Sequence, residues 1–237
     1  MWNTADTYPT ITVTPATTSI YNVTVTTAEG CSGTADISIL VNPLPGISVT
    51  APTAAICLGS SVDLTANSNH PSTTYLWNTG QTTTTINVAP AATSTYSVTG
   101  TDINGCTGTT EFLVTVNPLP EIDIVAPQNQ ICQGMSVQLT ASSNIPNTNY
   151  EWSTGQNTQA IIVSPPANTT YEVTGTDANG CTGSDRITIQ VNPNPTLAIN
   201  PNSFTICPGD TATLNASSTM AVTYEWNTGA TTSSISV

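Results

Sequence analysis

The sequence predicts an all-β protein made of small sandwiches repeated end to end. Three observations predict it: a Thr-rich composition, apolar–polar alternation between regularly placed turns, and an internal period of 75 residues. Thr makes up about a fifth of the chain, several times its ordinary share. Beside Val and Ile it favours extended backbone, because a branched Cβ suits a pleated, half-buried surface. Hydrophobic residues are 38% of the 237 and alternate regularly, which separates this acidic chain from a disordered acidic tail.

The period is carried by the rarest residues. Trp2, Trp77, Trp152 and Trp226 recur at intervals of 75, 75 and 74. Cys31, Cys106 and Cys181 recur at 75, as do Cys57, Cys132 and Cys207, and Tyr21, Tyr96 and Tyr171. The same step relates two V-N-P-L-P segments and one V-N-P-N-P. Two complete units are expected at 46–120 and 121–195. Residues 1–45 then form the C-terminal half of a unit, and residues 196–237 the N-terminal half of another.

Each element of a unit follows from local pattern. In 46–120 the strands are expected at 47–49 (A), 62–66 (B), 74–78 (C), 85–88 (D/E), 95–101 (F) and 109–116 (G), separated by C-L-G-S, N-T-G-Q and D-I-N-G turns. Short strands at this spacing, with a Trp on strand C, predict an immunoglobulin-like sandwich. Tyr96 opens strand F where a tyrosine-corner hydroxyl bonds back to the backbone. Tyr21 and Tyr171 hold the same place. Where antibody domains carry the inter-sheet cysteines, this chain has Val98 and Leu64, matched by Val23, Val173, Leu139 and Leu214. An aliphatic pair against Trp is expected to replace that disulfide.

Charge excludes several functions. There is no Lys, one Arg (Arg186), one His (His70) and fourteen acids, for a net charge of −13. Nucleic-acid binding depends on neutralising phosphates and is excluded, as is a polybasic membrane contact. No apolar run reaches the roughly 18–20 residues that span a bilayer. Met1 is followed at once by strand-like sequence rather than a basic and then apolar leader. The N-terminus is therefore expected to be an internal cut, or the targeting signal to lie outside these residues.

Reaction chemistry is not visible, and the chain reads as a non-enzyme. One His cannot complete a Ser/His/Asp or Cys/His set. His70 falls in the B–C loop of one unit only and is read as a solvated loop residue rather than a metal ligand. The four Trp are read as core, with a sugar-stacking platform the weaker alternative. Asp102 with Asn104, and Asp177 with Asn179, suit either a calcium site or an Asp-x-Asn-Gly turn in which Gly105 or Gly180 supplies positive φ. The turn is preferred, because no second acidic cluster repeats alongside. No cofactor or metal is expected. Lys–Asn isopeptide staples are excluded by the missing Lys. N-linked sequons occur at Asn22, Asn168 and Asn215.

The pattern ICxGxSVxLTA … YxWxTGxxT … TYxVTGTDxNGCTG … VTVNPLP resembles the Ig-like and PKD-like repeats of Bacteroidota surface proteins, the giant, type IX-secreted, gliding-associated adhesins of the SprB kind. The likeness runs over the whole chain, each half-unit matching its own part. It implies an extracellular, cell-surface-attached tandem protein. D-T-A at 210–212 resembles the O-glycosylation signal of Bacteroidota, which would modify Thr211.

Six cysteines in such a chain imply disulfides. Pairing across each linker (31–57, 106–132, 181–207) is disfavoured, because the two cysteines fall at opposite ends of neighbouring sandwiches, far beyond the Cα limit of about 7 Å. Pairing within a unit (57–106, 132–181) is what the family's single-domain relatives imply. Pairing Cys57 with Cys181, from one unit to the next, fits end-to-end stacking. The last two stay open.

The expected function is mechanical: an extracellular structural or adhesive fibre, a segment of a longer filament or adhesin stalk. Each unit would add on the order of 35–40 Å through a short, Pro-stiffened V-N-P-x-P joint. The alternatives are an adhesin that binds polysaccharide or surfaces directly, and the spacer of a secreted enzyme. An isolated half-sandwich leaves an apolar face and unpaired edges. Residues 196–237 are therefore expected to be completed head-to-tail by residues 1–45 of a further copy, either as a continuation of one polypeptide, which is preferred, or as a separate subunit.

Overall fold

The computed structural model describes residues 1–203 and 205–237. The chain divides into two compact units, Met1–Pro118 and Leu119–Val237.

The first unit opens with an antiparallel hairpin, β1 (Ser19–Thr26) and β2 (Ser32–Ile39). It continues with β3 (Ile47–Thr50), β4 (Ala55–Cys57), β5 (Val62–Ser68), β6 (Thr74–Trp77), β7 (Thr85–Val88), β8 (Ser94–Thr101) and β9 (Thr107–Asn117). These seven form two sheets, β3-β5-β7 and β4-β9-β8-β6. That is the A-B-E and A′-G-F-C arrangement of an immunoglobulin-like sandwich. The fold is all-β, as the sequence predicts.

The second unit contains the same sandwich in β10 (Ile122–Val125), β11 (Gln130–Cys132), β12 (Val137–Ser143), β13 (Asn149–Trp152), β14 (Ala160–Val163), β15 (Thr169–Thr176) and β16 (Thr182–Asn192). Its sheets are β10-β12-β14 and β11-β16-β15-β13. A third, incomplete sheet follows, β17 (Leu197–Asn200), β18 (Thr213–Ser218) and β19 (Ser234–Ser236), in the order β17-β18-β19.

Two features depart from the sequence reading. Ala55–Cys57 and Gln130–Cys132, where the sequence predicts no strand, are short strands that pair in parallel with β9 and β16. Three residues are too few to show a period of two. The tyrosine corner is also absent. Among the described residues no Tyr hydroxyl makes a hydrogen bond, and the corner is closed from three residues upstream. The N–H groups of Val41, Val116 and Val191 donate to Thr18 Oγ1 (3.1 Å), Thr93 Oγ1 (3.1 Å) and Asn168 Oδ1 (2.7 Å).

Each sandwich closes on a Trp. Trp77 packs with Leu64, Val98, Ile86 and Val114, and Trp152 with Leu139, Val173, Ile161 and Ile189. Both indoles are almost fully buried, and their Nε1–H groups donate to the carbonyls of Thr83 (2.9 Å) and Thr158 (2.8 Å). Burying a ring of this size dominates the core energy, provided the indole N–H finds a partner. Here it does.

Candidate functional site

The sheet β17-β18-β19 is open. Its apolar side chains alternate toward one face, and among the described residues no second sheet covers that face. Ile199 is 44% exposed and Leu197 64%, whereas Ile124, Ile199's counterpart on β10, is 8% exposed. Trp226 is only half-buried, although its Nε1–H donates to the Thr232 carbonyl (2.8 Å) as the core tryptophans do. A cavity of about 330 Å³ lies over this face, lined by Leu197, Ile199, Ala216, Val222, Tyr224 and Trp226.

In the complete sandwich of the second unit the equivalent face is covered by β15 and β16, whose Tyr171, Val173 and Ile189 point inward and are buried. The β1–β2 hairpin carries the corresponding residues Tyr21, Val23 and Ile39. Its inward row lacks such a partner sheet. Val25 is 65% exposed and Ile37 58%, while Tyr21, Val23 and Trp2 are half-buried. Trp2 reaches Val23 through one isolated bridge, and its Nε1–H donates to the Tyr8 carbonyl (2.9 Å).

Glycines record the missing contact. A Cβ on Gly108 would lie 2.1 Å from the Pro45 carbonyl oxygen, and one on Gly183 would lie 1.9 Å from that of Pro120. Gly33 holds the same place in β2, yet its nearest neighbour is Val25 Cγ2 at 3.9 Å. Gly33 has the clearance for a Pro195-type carbonyl with nothing seated there.

The Asp-x-Asn-Gly segments are turns. Asp102 Oδ1 accepts from the N–H groups of Asn104 and Cys106 (both 2.9 Å), and Asp177 Oδ1 from those of Asn179 and Cys181 (both 2.8 Å). Gly105 and Gly180 adopt φ of 80° and 81°. Both carboxyls are buried.

His70 is not the solvated residue that the sequence suggests: its Nδ1 lies 3.0 Å from Asp102 Oδ2. A Ser68–His70–Thr73 turn holds it there, the His70 N–H donating to Ser68 Oγ (3.1 Å) and Thr73 Oγ1 to the His70 carbonyl (2.9 Å). Burial disfavours the Asp102 charge. The His70 hydrogen bond, the N–H groups of Cys106 and Asn104 and the His70 charge outweigh that, and the carboxyl titrates below its ordinary 3.8. In the second sandwich Ile145 occupies the same turn, and Asp177 Oδ2 is buried without a partner. Burial alone pushes the Tyr171 phenol up.

Of the six candidate cysteines, Cys57 and Cys181 are disulfide-bonded, while Cys31, Cys106, Cys132 and Cys207 carry free thiols. The within-unit pairing that the sequence leaves open, and the across-linker pairing that it disfavours, each need one of those four and do not form. The reason is strand length. Cys57 pairs opposite Asn117 at one end of the eleven-residue β9, and Cys106 precedes Thr107 at the other. At 3.3 Å per residue that is about 35 Å, well beyond disulfide reach.

The proposed modification positions Asn22, Asn168, Asn215 and Thr211 are all exposed. Tyr8, 72% exposed, is an aromatic that the cores leave to solvent, and no equivalent repeats at the unit spacing. No described helix is long and apolar enough to cross a membrane.

No protein-family model matches the chain, and no curated protein does. Among solved structures it is similar to the N-terminal eight Ig domains of Down syndrome cell adhesion molecule (14% identity, TM-score 0.44), over 74% of this chain and 28% of that one. It is also similar to a Ca2+-stabilised adhesin with which an Antarctic bacterium binds ice (17%, TM-score 0.40, 86% and 66%). A third is the Bacteroides ovatus mixed-linkage glucan protein SGBP-B in complex with a heptasaccharide (17%, TM-score 0.25, 82% and 70%). The chain spans just over a quarter of the length of the first. The class defined by the strand order is that of immunoglobulin-like β-sandwich proteins.

Proposed function

We propose that the chain is a structural, adhesive element of an extracellular fibre, built of Ig-like units at 46–120 and 121–195 and extended head-to-tail. One observation carries this reading. The face left open by β17-β18-β19 matches, position by position, a face that an F–G hairpin covers in the complete sandwich, and β1–β2 carries the pattern of that hairpin, with Tyr21, Val23, Gly33 and Ile39 at the places of Tyr171, Val173, Gly183 and Ile189. The occupant is the hairpin of a further copy of this chain, whether joined to it as one polypeptide or separate. Its Tyr21, Val23 and Ile39 cover Ile199, Ala216 and Trp226, and its Gly33 seats against the Pro195 carbonyl.

Residues 2–13 repeat 226–237, so the two segments compete for one place. Docking exchanges the Trp2–Val23 bridge for a pairing of Trp226 with Val23 of the second copy, as Trp152 pairs with Val173. Covering Leu197, Ile199 and Ile37 contributes about 1.5–3 kcal/mol each. The roughly 5–9 kcal/mol total is of the same order as the 4–15 kcal/mol cost of association. The contact is therefore near balance unless something else holds it. The resemblance to SprB-like adhesins of Bacteroidota supports a cell-surface location, and so does the disulfide.

Gly33→Val tests the reading. The free hairpin has room for the side chain, so circular dichroism and monomer melting should not change. Concentration-dependent assembly, followed by sedimentation velocity and electron microscopy, should weaken at least tenfold. Unchanged assembly would refute the docking, as would an unassembled wild-type chain at any concentration. Deleting residues 1–13 removes the competing segment and should strengthen assembly.

A further inference from the structure

Resting on the head-to-tail reading, we propose that the four free thiols are two pairs of inter-copy staples: Cys132 with Cys31 of the next copy, and Cys207 with Cys106 of the next copy. The cysteines are of two kinds. Cys57, Cys132 and Cys207 follow an Ile at the mouth of the first turn, and Cys31, Cys106 and Cys181 follow N-G or E-G in the F–G turn. The two bonded cysteines are one of each kind, Cys57 and Cys181, 124 residues apart in sequence. Counted in repeats, the first-turn cysteine of one unit is linked to the F–G cysteine of the unit after it.

The same rule applied along a head-to-tail series leaves no cysteine over. Cys132 belongs to the unit before the incomplete one, so its partner is the F–G cysteine of the completed unit. The docked hairpin supplies that residue as Cys31. Cys207 belongs to the incomplete unit, so its partner is the F–G cysteine of the following unit, which is Cys106 of the second copy. The four thiols that the rule leaves unmatched within one chain are the four that are free. Cys31, Cys132 and Cys207 are exposed and Cys106 partly so, as late-forming bonds between molecules require. Two staples also hold a contact whose apolar burial is near balance.

Each staple forms one S–S bond from two S–H groups. Two protons and two electrons leave, and the electrons reduce a disulfide oxidant to two thiols by exchange. In the test that oxidant is oxidised glutathione. The chain of residues 1–237, half of it 15N-labelled, is assembled and oxidised, then digested at acidic residues without reduction, since trypsin has only Arg186 to cut. The expected products are Cys31–Cys132 and Cys106–Cys207 peptides, about half of them of mixed isotope, and a non-reducing gel ladder of covalent multimers. Cys132→Ser with Cys207→Ser should abolish the ladder and raise the concentration at which fibres form in the microscope. Fibres with free thiols at the four positions, or with other pairings such as Cys31–Cys106, would overturn the staples and leave the head-to-tail reading standing. A folded chain that forms no fibre would overturn both.

Discussion

The sandwich at Ile122–Asn192 and the sheet at Leu197–Ser236 share one pattern and differ in what covers it. In the first, β15 and β16 close over Ile124, Leu139 and Trp152; in the second the equivalent Ile199, Leu214 and Trp226 are open or half-open. Identical local instructions therefore end in two states. Strand formation in β17 and β18 needs only pairing and alternation, whereas burial needs the F–G hairpin. What differs is the covering hairpin, not the local sequence of the sheet.

The largest expected effect separates the two tryptophans. Trp152→Ala should cost the second sandwich about 3–5 kcal/mol in chemical denaturation, the range for deleting a large buried ring. Trp226→Ala should change the unassembled chain far less but remove docking. Equal losses in dilute monomer would break the comparison.

The glycines give the next effect. Gly183→Val drives a Cβ into the Pro120 carbonyl and should destabilise by at least about 1–3 kcal/mol, against no measurable change for Gly33→Val in the monomer. Val25 sharpens the same point. It stands where Gly100 and Gly175 stand, and a Cβ there lies 2.4 and 2.3 Å from Ile47 Cδ1 and Ile122 Cδ1. Val25→Gly should tighten docking against Leu197, read as a lower critical concentration for assembly.

A smaller effect compares the two buried aspartates. Ile145→His should supply Asp177 Oδ2 with the partner that His70 gives Asp102, stabilising the second sandwich by roughly 1–2 kcal/mol at neutral pH. The pH dependence belongs to Asp102. Its carboxyl titrates below the ordinary value in the folded state, so its stabilising contribution is complete above pH 3.8 and is lost as pH falls through the depressed pKa. His70→Ala should flatten the acid limb of the melting curve, and an unchanged limb would remove the pair from the account. Smallest of all is the Arg186–Glu172 pair, 3.1 Å apart and largely exposed. Arg186→Ala should shift stability by less than about 1 kcal/mol.

Much of this was legible in the sequence because one face of each strand in the two complete sandwiches is buried or half-buried. Alternation fixes register there, and V-D-L-T-A and Y-S-V-T-G announce β5 and β8 directly. What escaped were contacts without a period. His70 and Asp102 lie 32 residues apart, and only the folded B–C and F–G turns bring them together. The parallel β4 and β11 are too short to alternate. The corner bonds from Thr18, Thr93 and Asn168 have a signal, a Thr or Asn three residues before each Tyr whose side-chain oxygen accepts a backbone N–H across the corner.

A reconstruction of the assembled fibre by electron cryomicroscopy tests the central claim most directly. The account predicts residues 19–39 of the next copy lying over Leu197, Ile199 and Trp226, with Gly33 against the Pro195 carbonyl and Val23 opposite Trp226. A fibre in which that face is open to solvent, or covered by any other segment, would contradict it.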